Sequence, residues 1–113
     1  MLVNVTPHPV VIYGQGDTVL ADIPASGVIA RIAETVTPCP AVDGLPGSLV
    51  TLGEIEGLPE PVEGTWVIVS MPLAMAALAA RSTRADLVYP YGQVRDGGGR
   101  IIGCRSLGTI TSA

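Results

Sequence analysis

Glycine and proline interrupt this chain so often that a bundle of long helices is not expected. The 113 residues include 14 glycines and 10 prolines, and both residue types favour turns over helix interiors. Hydrophobic residues make up 48% of the chain and charged residues only 14%, a composition that supports a buried core rather than disorder. The length fits one domain covering residues 1–113. We therefore expect a single domain built from short strands and turns.

Short β-branched runs between turn signals predict the strands. Residues 10–13 and 18–23 flank a glycine-rich turn and predict one hairpin. Residues 94–107 predict another. Residues 65–70 predict a further strand, and its continuous apolar run, residues 66–69, is typical of a central strand covered on both faces. Trp66 is expected to be a packing anchor within that run.

Two prolines predict that residues 37–40 lie outside any sheet, because each removes a backbone donor. One helix is predicted near residues 72–81, with Ser70 as its cap and Pro72 in its first turn. The core is expected to take up its long side chains, namely Leu73, Met75 and Leu78.

No regular alternation of strands and helices is visible, so a doubly wound parallel sheet is not expected. We predict a mainly β (α+β) fold. It is an antiparallel sheet or half-open barrel of about eight short strands, with one helix near residues 72–81.

Residues that could support catalysis or metal binding are scarce. His8 is the single histidine, and its position between two prolines also suits a turn. Cys39 and Cys104 are too few for a zinc site, and reduced thiols are favoured over a disulfide in a chain with no secretory signal. Residues 96–100 could hold a phosphate on backbone N–H groups or form a hairpin turn. We expect no enzymatic activity, no metal and no cofactor.

Nothing in the chain predicts a membrane location. No apolar stretch approaches the ~20 residues of a membrane span. The first residues lack the basic and apolar regions of a signal peptide. We therefore expect a cytoplasmic protein.

Charge is distributed unevenly along the chain. Residues 1–80 carry one arginine against eight acidic residues, whereas residues 81–113 carry five arginines against two. The net charge of −4 disfavours duplex nucleic acid, while the cationic third can attract a smaller anion. Arginine forks hold phosphate and tyrosine rings stack on bases. The candidate ligand-binding residues are Arg84, Arg95, Arg100, Arg105, Tyr89 and Tyr91. Alternatively, these arginines form ion pairs with the acidic N-terminal region or with a second subunit.

Several segments of the chain resemble small proteins encoded by bacteriophages and prophages, particularly in actinobacteria. The opening, Asn4-Val5-Thr6-Pro7-His8, is similar to the N-[LV]-T-P-H start of that group. The similarity continues through residues 25–31, 53–59, 67–70, 94–96 and 99–104. In size and layout the chain is also similar to the Thoeris anti-defence sponges, phage proteins that bind a cyclic ADP-ribose signal as oligomers.

The resemblance and the cationic third together give a functional expectation. We expect a phage-type accessory protein in the bacterial host cell that binds and sequesters an anionic, nucleotide-like signalling molecule without catalysis. The alternative is a phage-type protein that binds and inhibits a host protein through an exposed strand edge. Short strands with exposed edges also favour a homo-oligomer.

Overall fold

The computed structural model describes residues 1–80 and 84–110. In chain order its elements are β1 (Leu2–Asn4), β2 (Val10–Tyr13), a short 3-10 turn (Gln15–Asp17), β3 (Val19–Ile23), β4 (Arg31–Val42), β5 (Leu45–Glu56), β6 (Trp66–Ile68), α1 (Met71–Ala79), β7 (Leu87–Arg95) and β8 (Ile101–Gly108). Eight strands and a single helix within the described residues confirm the mainly β, α+β class. No helix among those residues is long and apolar enough to cross a membrane.

Six of the strands form one nearly closed sheet in the order β1-β6-β7-β8-β2-β3. The β2–β3 and β7–β8 pairs are antiparallel, and both correspond to predicted hairpins. The pairs β1–β6, β6–β7 and β2–β8 are parallel. Mixed pairing arises because α1 carries the chain from β6 back to the start of β7, a crossover that lets two neighbouring strands run in the same direction.

Strand β6 occupies the centre of the core, as its apolar run predicts. Val67, Ile68 and Val69 are no more than 2% exposed. Val67 and Val69 belong to the cluster that includes the inner face of α1, while Ile68 belongs to a second cluster with Val10 and Cys104. Trp66, however, is 46% exposed, so the prediction that it anchors the core is wrong. It is the first residue of β6, at the end of the apolar run.

Helix α1 begins where the sequence indicates. The Ser70 hydroxyl accepts a hydrogen bond from the Leu73 amide at 3.3 Å, and Pro72 lies in the first turn. The helix buries Leu73 together with two alanines, whereas Met75 and Leu78 are 54% and 38% exposed, contrary to expectation. Small alanines form most of the contact with the sheet, so the longer side chains remain outside. Residue 81, at the predicted end of the helix, lies outside the described residues.

The remaining strands, β4 and β5, form a separate two-stranded ribbon. Each has 12 residues, and they are joined at Asp43 and Gly44, whose φ values of 50° and 80° suit the tight hairpin turn. The ribbon extends away from the sheet, and the radius of gyration is 16.6 Å, against about 13 Å for a compact chain of this length.

The prediction that residues 37–40 lie outside a sheet is wrong, because they continue β4. Pro38 is the register partner of Ser48 in β5. A two-stranded ribbon has two free edges, so a residue without an N–H group can occupy a position that faces outward and break no ladder hydrogen bond. The rule that excludes proline applies to strands with neighbours on both sides.

The gap between the two edge strands, β1 and β3, is bridged by the Asn4 side chain. Asn4 is 1% exposed and is the buried polar residue of the described core. Its Nδ2 donates to the main-chain oxygens of His8 at 2.8 Å and Ile23 at 3.2 Å. Its Oδ1 accepts from the amide and the hydroxyl of Thr6 at 3.0 and 2.6 Å. All hydrogen-bonding positions of the amide are thus used, which is the condition for burying such a group without a penalty.

We predict that Asn4→Ala lowers the free energy of unfolding by about 2 kcal/mol, because three part-buried backbone groups lose their hydrogen bonds to the Asn4 amide. Urea denaturation followed by circular dichroism measures the change. Ser26→Ala is the matched control, since the Ser26 hydroxyl makes only exposed hydrogen bonds with Val28. The control is expected to change stability by less than about 0.5 kcal/mol. Equal losses in the two variants would contradict the proposed role of Asn4.

Candidate functional site

Three of the four candidate arginines lie on one hairpin, which we call the arginine hairpin (residues 87–108, comprising β7, its turn and β8). Arg95, Arg100 and Arg105 are all exposed. The Arg95 guanidinium donates to the Gly99 carbonyl at 2.8 Å and to Gln93 Oε1 at 3.1 Å. Both acceptors are neutral, so these contacts orient Arg95 without cancelling its charge.

Arg105 behaves as the ion-pair alternative predicts. Its guanidinium donates to Asp17 Oδ1 and to the Gly14 carbonyl, each at 2.8 Å. The side chains of Arg105 and Asp17 are 49% and 67% exposed, and an ion pair so open to water contributes little to stability. Arg105 therefore links the hairpin to the acidic N-terminal region and is less available to a ligand than Arg95.

Arg84 lies apart from the hairpin. Its guanidinium makes a two-point contact with the Asp86 carboxylate, with both nitrogen–oxygen distances at 2.8 Å and side-chain exposures of 16% and 14%. The hydrogen bond from Arg84 lowers the pKa of Asp86, and the same bond raises the pKa of Arg84. Both residues line a cleft of about 410 Å³ with Glu63 and the exposed Trp66. Two carboxylates against one guanidinium make this cleft a poor site for an anion.

The two candidate tyrosines differ in access to solvent. Tyr89 is 7% exposed and packs in the core with the inner face of α1. Tyr91 is 58% exposed, and the two rings meet edge to face with centroids 6.3 Å apart. Tyr91 is thus the ring of the pair that a ligand in solvent can reach.

The turn at residues 96–100 forms a hairpin rather than a phosphate cradle. Asp96 Oδ1 accepts hydrogen bonds from the amides of Gly98 at 2.9 Å and Arg100 at 3.0 Å. The Gly99 amide donates to the main-chain oxygen of Asp96 at 3.0 Å. These N–H groups already donate to a carboxylate or a carbonyl oxygen. Anion binding by the hairpin therefore depends on its side chains.

A second cleft, of about 620 Å³, lies beside the arginine hairpin, and we call it the proline cleft. It is lined by residues 6–11, 70–71, 90 and 101–104, which are mostly apolar. Ile101 forms part of its wall, follows Arg100 directly and is the register partner of Arg95. Arg95 and Arg100 are thus adjacent, in register and in sequence, to a residue of the cleft wall, although neither is among the lining residues.

Sequence reasoning did not identify this cleft, because four distant segments form it. The sequence signal for the cleft is the Pro7-His8-Pro9 bend. Asn4 Nδ2 donates a hydrogen bond to the main-chain oxygen of His8 in this bend.

The two groups in the cleft that could act as nucleophile and base do not form an activated pair. Cys104 is 3% exposed, and burial raises the pKa of its thiol. A protonated thiol is a weak nucleophile. His8, which would have to act as the base, is exposed, whereas the Cys104 thiol is buried. Among the described residues, no three His, Cys, Asp or Glu side chains gather where they could hold a metal ion.

We predict that Asp86→Asn destabilises the fold by about 2 kcal/mol at pH 7, because the charge-assisted hydrogen bonds to Arg84 are lost. Since the folded state lowers the pKa of Asp86, its contribution is present above the ordinary carboxyl value and is lost as the pH falls through the folded pKa. The wild type and the variant should therefore converge in urea denaturation once the pH lies below the folded pKa of Asp86. Asp22→Asn, at an exposed position of β3, is the control, and a difference that persists undiminished in acid would contradict the prediction.

Comparison of the chain with protein-family models, with curated proteins and with solved structures finds no match. Function therefore has to be argued from the two clefts, the arginine hairpin and the ribbon themselves.

Proposed function

We propose that the protein binds and sequesters an anionic, nucleotide-like small molecule, without catalysis, in the proline cleft. The observation that carries the proposal is that two exposed arginines adjoin, in sequence and in strand register, a residue that lines an apolar cleft. Ile101 lines the cleft, and Arg95 and Arg100 are its immediate neighbours across and along the strand. A flat heterocycle in the cleft would leave its phosphate groups at the tip of the hairpin.

The size and lining of the cleft suit the ring of such a ligand. Pockets for small molecules commonly enclose about 300–1,000 Å³ and combine apolar walls with a few polar groups. The proline cleft has a volume of about 620 Å³. Its polar groups include the side chains of His8 and Ser70, and Ser70 is held in place by its bond to the Leu73 amide. The rigid prolines of the lining, Pro7, Pro9 and Pro90, reduce the entropy that binding would cost.

The charges at the hairpin tip suit the phosphate. The Arg95 guanidinium donates to two neutral oxygens, those of Gly99 and Gln93, and Arg100 is exposed. Within residues 87–108 the three arginines outnumber the single acid, Asp96. Arginine forks bind phosphate with two parallel hydrogen bonds, and such charge-assisted bonds are the stronger kind. The Trp66 cleft, with its excess of carboxylates, supplies no comparable site.

Binding alone would be sufficient for the proposed role. The raised thiol pKa of Cys104 argues against covalent chemistry in the cleft. In a phage-type protein, as the resemblance implies, capture of a nucleotide signal would deprive a bacterial defence system of its messenger.

A second candidate function is docking on a host protein and blocking it. The exposed apolar side chains of the ribbon, such as Val36 and Leu52 at 55% and 61% exposure, favour it. Purification from host cells separates the two functions. A small molecule that copurifies supports capture, whereas a stoichiometric host protein that copurifies with none supports docking.

We predict that titration calorimetry against cyclic dinucleotides and ADP-ribose isomers detects a ligand with a Kd of about 1 μM or tighter, equivalent to about 8 kcal/mol. Arg95→Ala with Arg100→Ala should weaken binding at least about tenfold, or about 1.4 kcal/mol. Ile102→Trp, which narrows the cleft, should weaken binding as well.

Arg31→Ala is the control for the arginine variants, because Arg31 is exposed on β4, away from the hairpin. It should leave the affinity unchanged. Absence of heat with every nucleotide at about 100 μM protein would exclude useful sequestration. Equal effects of Arg31→Ala and the double variant would exclude the hairpin as the phosphate site.

A further inference from the structure

The Trp66 cleft is a second concave surface of the protein, and nucleotide capture does not use it. It has a volume of about 410 Å³ and is lined by residues 61–66 and 84–86. The first segment leads from a proline-containing loop into β6, and the second precedes β7. These strands are neighbours in the sheet, and the Val67 amide donates to the main-chain oxygen of Asp86 at 2.8 Å. The cleft therefore lies at the start of two paired strands.

Trp66 gives this cleft an exposed aromatic wall. It is the single tryptophan of the chain and is 46% exposed. The ring contact found among the described residues joins Tyr89 to Tyr91, so the Trp66 ring takes no part in it. An indole ring has an electron-rich face that attracts cations. Two apolar neighbours, Val62 in the lining and Leu2 as its register partner in β1, are 61% and 38% exposed.

The guanidinium that lines the cleft already has a counter-ion. Arg84 makes its two-point contact with the Asp86 carboxylate, with both bonds at 2.8 Å, and both side chains are mostly buried. By contrast, Glu63 is exposed and forms no ion pair within the part of the chain that the structure describes. The cleft thus combines an exposed ring with a carboxylate whose charge is not balanced by a salt bridge.

Two charges outside the lining also act on the cleft. The Met1 ammonium donates to the Gly64 carbonyl at 2.8 Å, which places a positive charge at the edge. Glu60 places a negative charge near the Arg84 guanidinium, where its Coulomb attraction helps to raise the pKa of Arg84. With Glu63 and the neutral ion pair, these described groups leave the cleft negative. The local charge therefore favours a cationic ligand over an anionic one.

We propose that the Trp66 cleft binds an arginine or lysine side chain of a protein partner. The cation lies over the indole ring of Trp66 and beside the Glu63 carboxylate, while its aliphatic stem packs on Val62. Long basic side chains combine an apolar stem with a charged head, which matches an apolar residue next to an aromatic ring and a carboxylate. Tryptophan is the aromatic residue that attracts a cation most strongly.

The surroundings favour a protein partner over a free organic cation. Leu2 and Val62 are apolar and exposed beside the ring, and a small cation in the cleft would leave them in water. A protein surface that presents the basic side chain would cover them, and tryptophan is enriched among the residues that dominate such interfaces. Charge acts in the same direction at longer range, since residues 1–80 carry eight acidic residues and one arginine. This region would attract and orient a basic partner.

Titration of the full chain with N-acetyl-argininamide tests the proposal, and N-acetyl-citrullinamide is the neutral probe of nearly the same shape. Because Trp66 is the single tryptophan, its fluorescence and the NMR signal of its indole N–H report on this cleft. The arginine probe is expected to give a saturable change in both signals at millimolar concentration. The citrulline probe should bind about tenfold more weakly, because it keeps the stem but carries no charge.

A tripeptide separates a protein partner from a small cation. Acetyl-Leu-Arg-Leu-amide can cover the exposed apolar residues beside the ring, so it should bind at least about threefold more tightly than the arginine probe. The small cation is n-butylguanidinium, which has a similar head and stem without a peptide backbone, and it should bind no more tightly than the arginine probe. Binding of n-butylguanidinium as tight as that of the tripeptide would overturn the assignment to a protein partner.

Variants of the chain locate the site. Glu63→Gln should weaken binding of the arginine probe about threefold, through loss of one exposed ion pair. The matched control is Glu54→Gln, at an exposed position of β5 in the ribbon, which should leave the affinity unchanged. Trp66→Leu should abolish the saturable shift of the Thr65 amide in NMR spectra. Far-UV circular dichroism reports whether each variant retains the fold.

Three results would overturn the proposal. The first is no saturable change in either Trp66 signal up to about 20 mM arginine probe. The second is equal affinity for the arginine and citrulline probes, since the cleft would then not recognise charge. The third is an equal effect of the Glu63 and Glu54 variants, which would show that any binding depends on overall charge and not on this cleft.

The proposal does not depend on nucleotide capture, and the two can fail separately. Arg95→Ala with Arg100→Ala should weaken nucleotide binding and leave the affinity for the arginine probe unchanged. Glu63→Gln should have the reverse effect.

Discussion

The buried amide of Asn4 is the interaction on which the arrangement of the other elements depends. It lies at the end of β1 and bonds to the main chain of β3 and of the following bend. Six short strands cannot close on each other without a contact at the last gap, and no strand pairing is available there. The main chain contributes to the same closure, since Ser26 N donates to the Asn4 carbonyl at 2.9 Å. A single side chain thus stabilises a seam that a longer sheet would close with backbone hydrogen bonds.

The candidate site is a consequence of this closure. The Asn4 amide fixes the position of His8 in the bend, and the bend forms one wall of the proline cleft. The opposite wall belongs to β8, whose pairing with β7 presents Arg95 beside Ile101. An apolar cleft and a cationic edge are thereby brought together by elements that are far apart in the chain. In the proposed site the cleft would supply the apolar walls and the hairpin the positive charge.

Local signals in the sequence predicted local structure well. The cap at Ser70, the hairpins of β2–β3 and β7–β8, and the central position of β6 all depend on interactions within a few residues or on one apolar run. The predictions that proved wrong depend on contacts between residues that are distant in the chain. The rule that excludes proline from a sheet holds for strands with neighbours on both sides, whereas the strand of Pro38 pairs with β5 alone.

The same limit applies to the core and the site. Hydrophobicity alone predicts buried positions for Trp66 and Met75, yet Trp66 begins its strand and is 46% exposed, and Met75 is 54% exposed on α1. The arginines were expected to act as a group, but Arg84 is held by Asp86 and Arg105 by Asp17. Which side chains meet in a cleft depends on strand order, and strand order is not encoded in any single segment.

Amide hydrogen exchange at Thr6 tests the central claim most directly, because this amide donates to the Asn4 side chain and not to a backbone carbonyl. If the buried amide closes the sheet, Thr6 N–H should exchange nearly as slowly as Val5 N–H, which donates to Ile68. Exchange at Thr6 close to the rate of an unstructured peptide, with Val5 still protected, would show that the seam is open in solution and would contradict the account.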